Sequence, residues 1–181
     1  KILIRLPNWL GDVVMSTAFV AVVKQLYPDA QVDVIIKKEL SAIAAMMPGL
    51  HTVHPFSKHE HKGLKGAWSF GRSLRSAQYN LFFNLPVSLS SAVMARATGA
   101  KKRIGFSKEG GIFLLTSVCK KPVNVHRVDE YISILEQFTG KSISEKYVKL
   151  DAGNNLQPVK NRVLINFNSE ADSRRMPVEK A

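Results

Sequence analysis

Short apolar runs alternate with longer segments of helical spacing along most of this chain. The runs predict strands, which lie at 2–5, 31–37, 50–55, 79–85 and 101–106. The segments between them predict helices, which lie at 13–23, 39–47, 67–76, 88–97 and 126–138. Strands that alternate with helices form parallel sheets. The pattern therefore predicts an α/β fold with a parallel sheet.

The loop after the first predicted strand is where we first expect chemistry. Pro7 and Asn8 end the extended run, and Asp12 opens the first helix. Ligands of open α/β sheets bind outside the carboxyl ends of the strands. A carboxylate in a first helical turn lies near unpaired backbone N–H groups, which favour its ionised form. Asp12 is thus either a helix cap or a proton acceptor, and an exposed Trp9 beside it favours a ligand site.

The most polar stretch, residues 57–66, predicts a flexible cationic loop. It contains three lysines, two histidines and two glycines. His59 and His61 do not predict a metal site, because no cysteine, aspartate or further nearby histidine completes a ligand set. The lysines either bind a ligand or are solvated. Similarly, Ser88 at a predicted helix start is either a cap or a ligand, whereas His126 at another is interpreted first as a cap or packing residue.

Composition limits the class of protein without choosing a function. The 181 residues are 45% hydrophobic, which is enough for a core, and no apolar run approaches the length of a membrane span. We therefore expect a soluble domain. The single cysteine, Cys119, excludes an internal disulfide framework and agrees with a reducing cytoplasm. The net charge of +12 favours a polyanionic partner: nucleic acid, a phosphorylated sugar or an anionic membrane.

Two segments resemble the lipopolysaccharide heptosyltransferases of glycosyltransferase family 9, most closely the heptosyltransferase II branch. The first is Pro7-Asn8-Trp9-Leu10-Gly11-Asp12 with the small-residue helix behind it and Tyr27-Pro28-Asp29-Ala30. The second is Ser173-Arg174-Arg175-Met176-Pro177. The resemblance implies the GT-B architecture, in which two Rossmann-like domains with helices on both sheet faces meet across a cleft. It implies an N-terminal acceptor-binding domain over 1–150, a linker over 151–160 and the start of a donor-binding domain over 161–181.

The local pattern agrees with that division only in part. Residues 147–150 predict one short strand before the linker, and 162–167 predict a strand that opens the second domain. Pro177 is expected at the first position of a helix. One strand and part of a helix cannot bury both faces of a sheet. The resemblance implies that the rest of the donor site lies past Ala181, so we expect the chain alone not to catalyse glycosyl transfer.

The resemblance also implies a reaction and its site residues. Heptose moves from ADP-heptose, or a related nucleotide sugar, to the lipopolysaccharide inner core with inversion, and Asp12 matches the base. No metal cofactor is expected. Arg174 and Arg175 match the donor-phosphate segment, although Arg174 replaces a lysine and Met176 a tryptophan. The expected acceptor-binding residues are Asn8, Trp9, Lys58, Lys62, Lys65 and Ser88. The acceptor is an anionic glycolipid, which places the protein in the cytoplasm at the inner membrane surface.

Two alternatives stay open at this level. One is a family 9 enzyme that transfers another sugar. The other is a non-catalytic basic α/β domain that binds nucleic acid through its lysines. The second is disfavoured, because the basic residues are spread over several loops and the aromatic residues lie mostly in apolar runs. Nucleic acid is therefore not an expected partner.

Overall fold

Six parallel strands form one sheet in the computed structural model, which describes residues 1–151 and 153. The strands are β1 (Ile2–Arg5), β2 (Val32–Lys37), β3 (Thr52–Phe56), β4 (Leu81–Asn84), β5 (Lys102–Gly105) and β6 (Ser117–Val118). Their order is β3-β2-β1-β4-β5-β6 and every pairing is parallel. The α/β prediction is confirmed. The order reverses between β1 and β4, and such a switch point opens a crevice at the carboxyl ends of the strands.

Helices cover both faces of the sheet, as the resemblance implied. They are α1 (Leu10–Met15), α2 (Thr17–Leu26), α3 (Ser41–Ala44), α4 (Gly63–Ser73), α5 (Leu89–Ala97) and α6 (Arg127–Thr139). Shorter 3-10 helices occupy Lys38–Leu40, Arg75–Ala77 and Glu109–Phe113. One core cluster joins Phe19 of α2 and Leu135 of α6 to the sheet, and the other joins Phe70 of α4 and Met94 of α5. Successive residues of a strand contribute alternately to the two clusters, because side chains of an extended chain alternate between the two faces of the sheet.

The first helix is interrupted, whereas the sequence predicted one continuous segment over 13–23. α1 ends before Ser16 and α2 begins after it. The Ser16 hydroxyl donates to the Val13 carbonyl at 2.7 Å, and the Thr17 hydroxyl donates to the Val14 carbonyl at 2.8 Å. Hydroxyls that bind carbonyls of the preceding turn compete with the backbone ladder and bend helices. The two hydroxyls therefore account for the break at Ser16.

The prediction of a loop over 57–66 is wrong at its end, because α4 begins at Gly63. The glycines that suggested a loop have another role. A Cβ on Gly66 would lie 2.2 Å from the His61 backbone carbon, so the chain before α4 folds back onto the helix. The His61 ring then stacks on Phe56 with its centroid 5.8 Å away. The last four residues of the predicted loop are therefore helical.

Two further predictions need correction. The helix predicted over 39–47 is a 3-10 turn followed by four α-helical residues, and the Ser41 hydroxyl bonds the Lys38 carbonyl at 2.8 Å inside it. The strand predicted over 147–150 is not a strand, because this segment bonds to helices and loops. The Lys149 N–H donates to the Thr17 hydroxyl at 3.1 Å, for example. The strand at 162–167, the helix at Pro177 and the proposed second domain lie outside the described residues.

A buried carboxylate at the amino end of β2 anchors the opposite edge of the sheet. Asp33 accepts a hydrogen bond from the Tyr79 hydroxyl at 2.6 Å, and its other oxygen lies 3.0 Å from His51 Nδ1. Burial raises the pKa of Asp33, but the hydrogen bonds from Tyr79 and His51 outweigh it and hold the pKa below its ordinary value. Burial also lowers the pKa of His54, which lies 3.8 Å from the same carboxylate.

Both shifts make the fold less stable in acid. A carboxylate with a lowered pKa stabilises the folded state above its unfolded value, about pH 4, and this stability is lost as the pH falls through the folded pKa. A histidine kept neutral by burial also favours unfolding once the pH falls below about 6.5. We therefore expect the melting temperature to decrease below about pH 6.5, through His54, and more steeply below about pH 4, through Asp33.

Replacing Tyr79 by Phe tests this network. The variant loses a hydrogen bond to a charged, buried group, so we expect a free energy of unfolding lower by about 2 kcal/mol at pH 7. The acid dependence near pH 4 becomes weaker, because the pKa of Asp33 returns toward its ordinary value. Denaturant unfolding at several pH values measures both effects. Tyr147→Phe, at a position 73% exposed, is the control, and equal unfolding midpoints for the two variants contradict the prediction.

Candidate functional site

A cleft of about 250 Å³ opens at the carboxyl edge of the sheet, where the loops after β1 and β4 face the start of α6. Its lining residues are Pro7, Asn8, Trp9, Asp12, Leu85, Pro86, Val87, Ser88, Lys121, Arg127, Glu130 and Tyr131. The loops belong to the two strands between which the strand order reverses. This cleft thus lies at the switch point, where open α/β sheets bind their ligands.

Asp12 lies in the first turn of α1 and lines this cleft. The N-cap of α1 is Trp9, and no side chain caps the helix. Asp12 instead forms an ion pair in which its Oδ1 lies 3.3 Å from Arg127 Nε, and its side chain is 22% exposed. Capping therefore does not explain this carboxylate, and partial exposure leaves it accessible to a ligand.

Arg127 is itself fixed by a second carboxylate. Its Nη1 donates to both oxygens of Glu130, at 2.8 and 2.9 Å, and Lys121 Nζ lies 3.3 Å from Glu130 Oε1. Burial lowers the pKa of Arg127, but the hydrogen bond to Glu130 outweighs it and raises the pKa above its ordinary value. The guanidinium is thus a permanent cation, held by Glu130 on one side and presented to Asp12 on the other.

Tyr131 adds a neutral polar group to the cleft wall. Burial, followed by the negative charge of Asp12, raises the pKa of its phenol well above the ordinary value. The hydroxyl therefore keeps its proton at neutral pH. The cleft consequently combines a carboxylate, an arginine and an un-ionised phenol.

A buried arginine holds the loop that carries the cleft's aromatic residue. Arg5, the last residue of β1, donates to the Leu6 and Ile35 carbonyls at 2.8 and 3.2 Å and to Asn8 Oδ1 at 2.7 Å. Its guanidinium carbon lies 5.4 Å from the centroid of the Phe56 ring. Burial lowers its pKa to about 10, so it stays charged at neutral pH. Arg5 thereby fixes Asn8 between two strand ends.

Four of the residues predicted from the sequence meet in this cleft: Asp12, Asn8, Trp9 and Ser88. Trp9 is 63% exposed. Ser88 caps α5, which is one of its two expected roles, and accepts a hydrogen bond from the Ser91 N–H at 3.2 Å. Its hydroxyl thus has a structural role, and the same side chain contributes to the cleft wall.

The predicted lysines are distributed differently. Lys58 lines a neighbouring cleft of about 350 Å³ together with Asn8 and Trp9. It also lines a third cleft of about 420 Å³, which contains Lys62. Lys65 is exposed on α4 and lines none of these three clefts. Arg174 and Arg175, predicted to bind donor phosphate, lie outside the described residues.

Sequence reasoning missed Arg5, Lys121, Arg127, Glu130 and Tyr131. The available signal for Arg5 was a single charge inside an apolar run. The predicted cap at His126 is confirmed, because its Nδ1 accepts from the Val128 N–H at 3.3 Å. The neighbouring Arg127, which faces Asp12, gave no local signal.

The described residues contain neither a cluster of metal-ligating side chains nor a membrane-spanning helix. Within 1–151 and 153, no three His, Cys, Asp or Glu side chains are grouped as metal ligands. None of the helices there combines the length and apolar character needed to cross a membrane.

Comparison with known proteins identifies the family. The family model described as glycosyltransferase family 9 (heptosyltransferase) matches residues 67–173. Lipooligosaccharide heptosyltransferase 2 of Haemophilus ducreyi is 34% identical over 119 residues, which are 65% of this chain and 34% of that protein. Lipopolysaccharide heptosyltransferase 2 of Escherichia coli K12 is 29% identical over 119 residues, with the same two coverages. The chain thus spans about a third of the length of these relatives.

Solved structures agree with the fold. A family 9 glycosyltransferase from Veillonella parvula superposes with a TM-score of 0.85 at 20% identity, over 98% of this chain and 56% of that one. The E. coli ADP-heptose lps heptosyltransferase II superposes with a TM-score of 0.62 at 25% identity, over 74% of this chain and 39% of that one. The two relatives above are named as heptosyltransferases and not as nucleic-acid-binding proteins. Since the family model covers more than half of its residues, the chain belongs to glycosyltransferase family 9, the heptosyltransferase family.

Proposed function

We propose that this chain is the acceptor-binding part of an inverting glycosyltransferase that transfers heptose from ADP-heptose to the lipopolysaccharide inner core. The observation that carries the proposal is the Asp12 carboxylate, which lines the switch-point cleft and is held by Arg127. The named activity of the relatives and the ADP-heptose in the name of one structural neighbour support the reaction and the donor.

Asp12 is the proposed general base. In an inverting transfer the base removes the proton of the acceptor hydroxyl while that oxygen attacks the anomeric carbon. The bond to the nucleoside diphosphate breaks on the opposite side, and ADP leaves with the electron pair. Arg127 fixes Asp12 Oδ1, whereas Oδ2 has no hydrogen bond or ion pair within the described residues. That second oxygen is the one we assign to the acceptor hydroxyl.

The proposed acceptor is an anionic glycolipid on the cytoplasmic face of the inner membrane. Lys58, Lys62 and Lys121 line the three adjoining clefts and supply cations for its phosphates and acidic sugars. Arg174 and Arg175 are proposed to bind the donor diphosphate. No metal cofactor and no nucleic acid belong to this proposal.

The donor is tested with a family-length protein that contains this chain. The protein is offered ADP-heptose and other nucleotide sugars with a truncated inner-core acceptor, and the released nucleotide is measured. We expect rapid turnover only when ADP-heptose is the donor. Faster turnover with another nucleotide sugar overturns the donor assignment and leaves the transferase assignment intact, whereas no turnover with any donor contradicts both.

Replacing Arg127 by Gln is expected to lower the turnover number in the same protein by about tenfold to a hundredfold. The guanidinium orients Asp12, and misplacement of a reacting group by about 1 Å costs about that factor. The Michaelis constant for the acceptor should change little, and Arg127→Lys should restore part of the rate. Lys141→Gln, an exposed cation on another segment, is the control. A raised Michaelis constant with unchanged turnover shows instead that Arg127 binds the acceptor.

A further inference from the structure

Most of the net positive charge of this protein comes from one continuous part of the chain. Between Glu60 and Glu109 there is no aspartate or glutamate. The same stretch contains nine cations: Lys62, Lys65, Arg72, Arg75, Arg96, Lys101, Lys102, Arg103 and Lys108. It includes all of α4 and α5, which pack against each other on one face of the sheet. Lys102 Nζ lies over the Phe138 ring of α6, on the other face. Lys58 and Lys62, however, line one cleft with Leu64, and Lys65 follows Leu64 on α4, so the start of α4 is cationic.

The face of α4 and α5 exposes large apolar side chains, which we name the apolar patch: Leu64, Trp68, Leu89, Ile112 and Phe113. Leu64 and Trp68 are one turn apart on α4, and Leu89 begins α5. Ile112 and Phe113 lie on the 3-10 helix Glu109–Phe113, and Phe113 is 84% exposed. Isolated exposed apolar residues are ordinary, but a group of this size within a cationic surface indicates an interaction site.

Packing between the three helices brings the patch together. Leu64 and Ser90, the neighbour of Leu89, line the same cleft. On the other side of α5, a Cβ on Gly111 would lie 3.6 Å from the Ala92 Cβ and 3.9 Å from Leu89 Cδ1. The 3-10 helix thus lies directly against the start of α5. The patch consequently runs from α4 across the start of α5 to Phe113.

We infer that the apolar patch docks onto an anionic lipid bilayer. Tryptophan and other large apolar side chains enter the boundary between headgroups and acyl chains, while lysine and arginine around them contact anionic headgroups. A second copy of this chain fits poorly, because a symmetric interface would bring the same lysines, Lys58, Lys62 and Lys65, to both sides. Nucleic acid would match the cations but leave Leu64, Ile112 and Phe113 in water.

The biological role of this docking rests on the proposed function, in which the acceptor is a glycolipid. Ser88 lines the cleft of Asp12, and Ser90, two residues along the start of α5, lines the cleft that contains Leu64. A bilayer that contacts the patch would therefore lie beside the site of transfer. A glycolipid acceptor embedded in that bilayer would reach Asp12 with its sugars without leaving the membrane.

Vesicle binding tests the inference with the 181-residue chain and lipids that contain no acceptor. The chain is titrated with phosphatidylglycerol vesicles and with phosphatidylcholine vesicles while tryptophan emission is recorded. We expect binding to the anionic vesicles only, weakened by salt, with a blue shift that Trp68→Phe removes and Trp9→Phe keeps. Phe113→Ser should weaken partitioning about tenfold, since it removes a large, exposed apolar group that would enter the bilayer. The matched control, Val123→Ser, alters a site 81% exposed beside α6 and should bind like the original chain.

Each contrary outcome is distinct. If Phe113→Ser and Val123→Ser bind vesicles equally, and circular dichroism shows that both are folded, the apolar patch is not the docking surface. Absence of vesicle binding at low salt overturns the lipid partner. Self-association in sedimentation identifies a second copy, and tighter binding to DNA than to vesicles identifies nucleic acid. Asp12→Asn should bind vesicles normally, so failure of the proposed reaction and failure of the docking surface are separated.

Discussion

Asp12→Asn is expected to reduce the turnover number of the family-length protein by about a thousandfold, because general-base catalysis contributes about a hundredfold to ten-thousandfold. Asparagine has the same shape but cannot accept the proton of the acceptor hydroxyl. The Michaelis constants should change much less, since the cleft keeps its shape and its cations. Steady-state release of ADP, measured with the proposed donor and a truncated acceptor, gives both constants.

Asp129→Asn is a matched control for this prediction. Asp129 also lies in the first turn of a helix, but it pairs with Lys146 and does not line the cleft. We expect nearly full activity from this variant and unchanged circular dichroism from both. Activity of Asp12→Asn within tenfold of the original protein removes Asp12 from the role of base. A comparable loss in Asp129→Asn points to general destabilisation instead.

The position of Asp12 could be predicted because it follows from a local pattern. An apolar strand, a Pro-Asn stop and an acidic helix start are all contiguous in the sequence, and a parallel sheet places such junctions at its carboxyl edge. The Ser88 cap follows from the same kind of evidence. Neither prediction needs to know which strands are neighbours.

The partner of Asp12 could not be predicted in this way. Arg127 meets Asp12 because α1 and α6 are brought to the same end of the sheet, and this depends on the strand order. Hydrophobic periodicity identifies strands but contains little information on their order. Arg5 was missed for a related reason, since its partners include the Ile35 carbonyl on the neighbouring strand β2.

Glycines account for the error in predicting α4. From sequence, a glycine most often indicates a turn, because it lacks a side chain and costs helical stability. The residues wrongly assigned to the loop, 63–66, include Gly66, which lies against the His61 backbone; Gly71, inside the predicted helix, lies where α4 approaches α5. A Cβ there would lie 2.4 Å from the Met94 carbonyl oxygen and 2.8 Å from the Ala97 Cβ. Glycine is present because two helices touch, and only the tertiary structure contains that contact.

Gly71→Ala should therefore destabilise the chain, although alanine is the better helix former. The added methyl group meets the backbone of α5, so the two helices must separate, and overpacking of this kind costs about 3 kcal/mol. For a domain of this size, that corresponds to a melting temperature lower by about 10 °C. Gly11→Ala in α1 is the matched control, because nothing lies within 4 Å of its Cβ position.

The two variants are expected to differ in sign. Gly11→Ala should stabilise the chain by up to about 1 kcal/mol through helix propensity alone. Urea unfolding of both variants at one pH measures the difference, and their slopes should agree with that of the original chain. Stabilisation by both substitutions would show that α4 and α5 are less closely packed than the Gly71 contact requires. The starts of these helices, which form the walls of the clefts and carry the apolar patch, would then not be fixed by that contact.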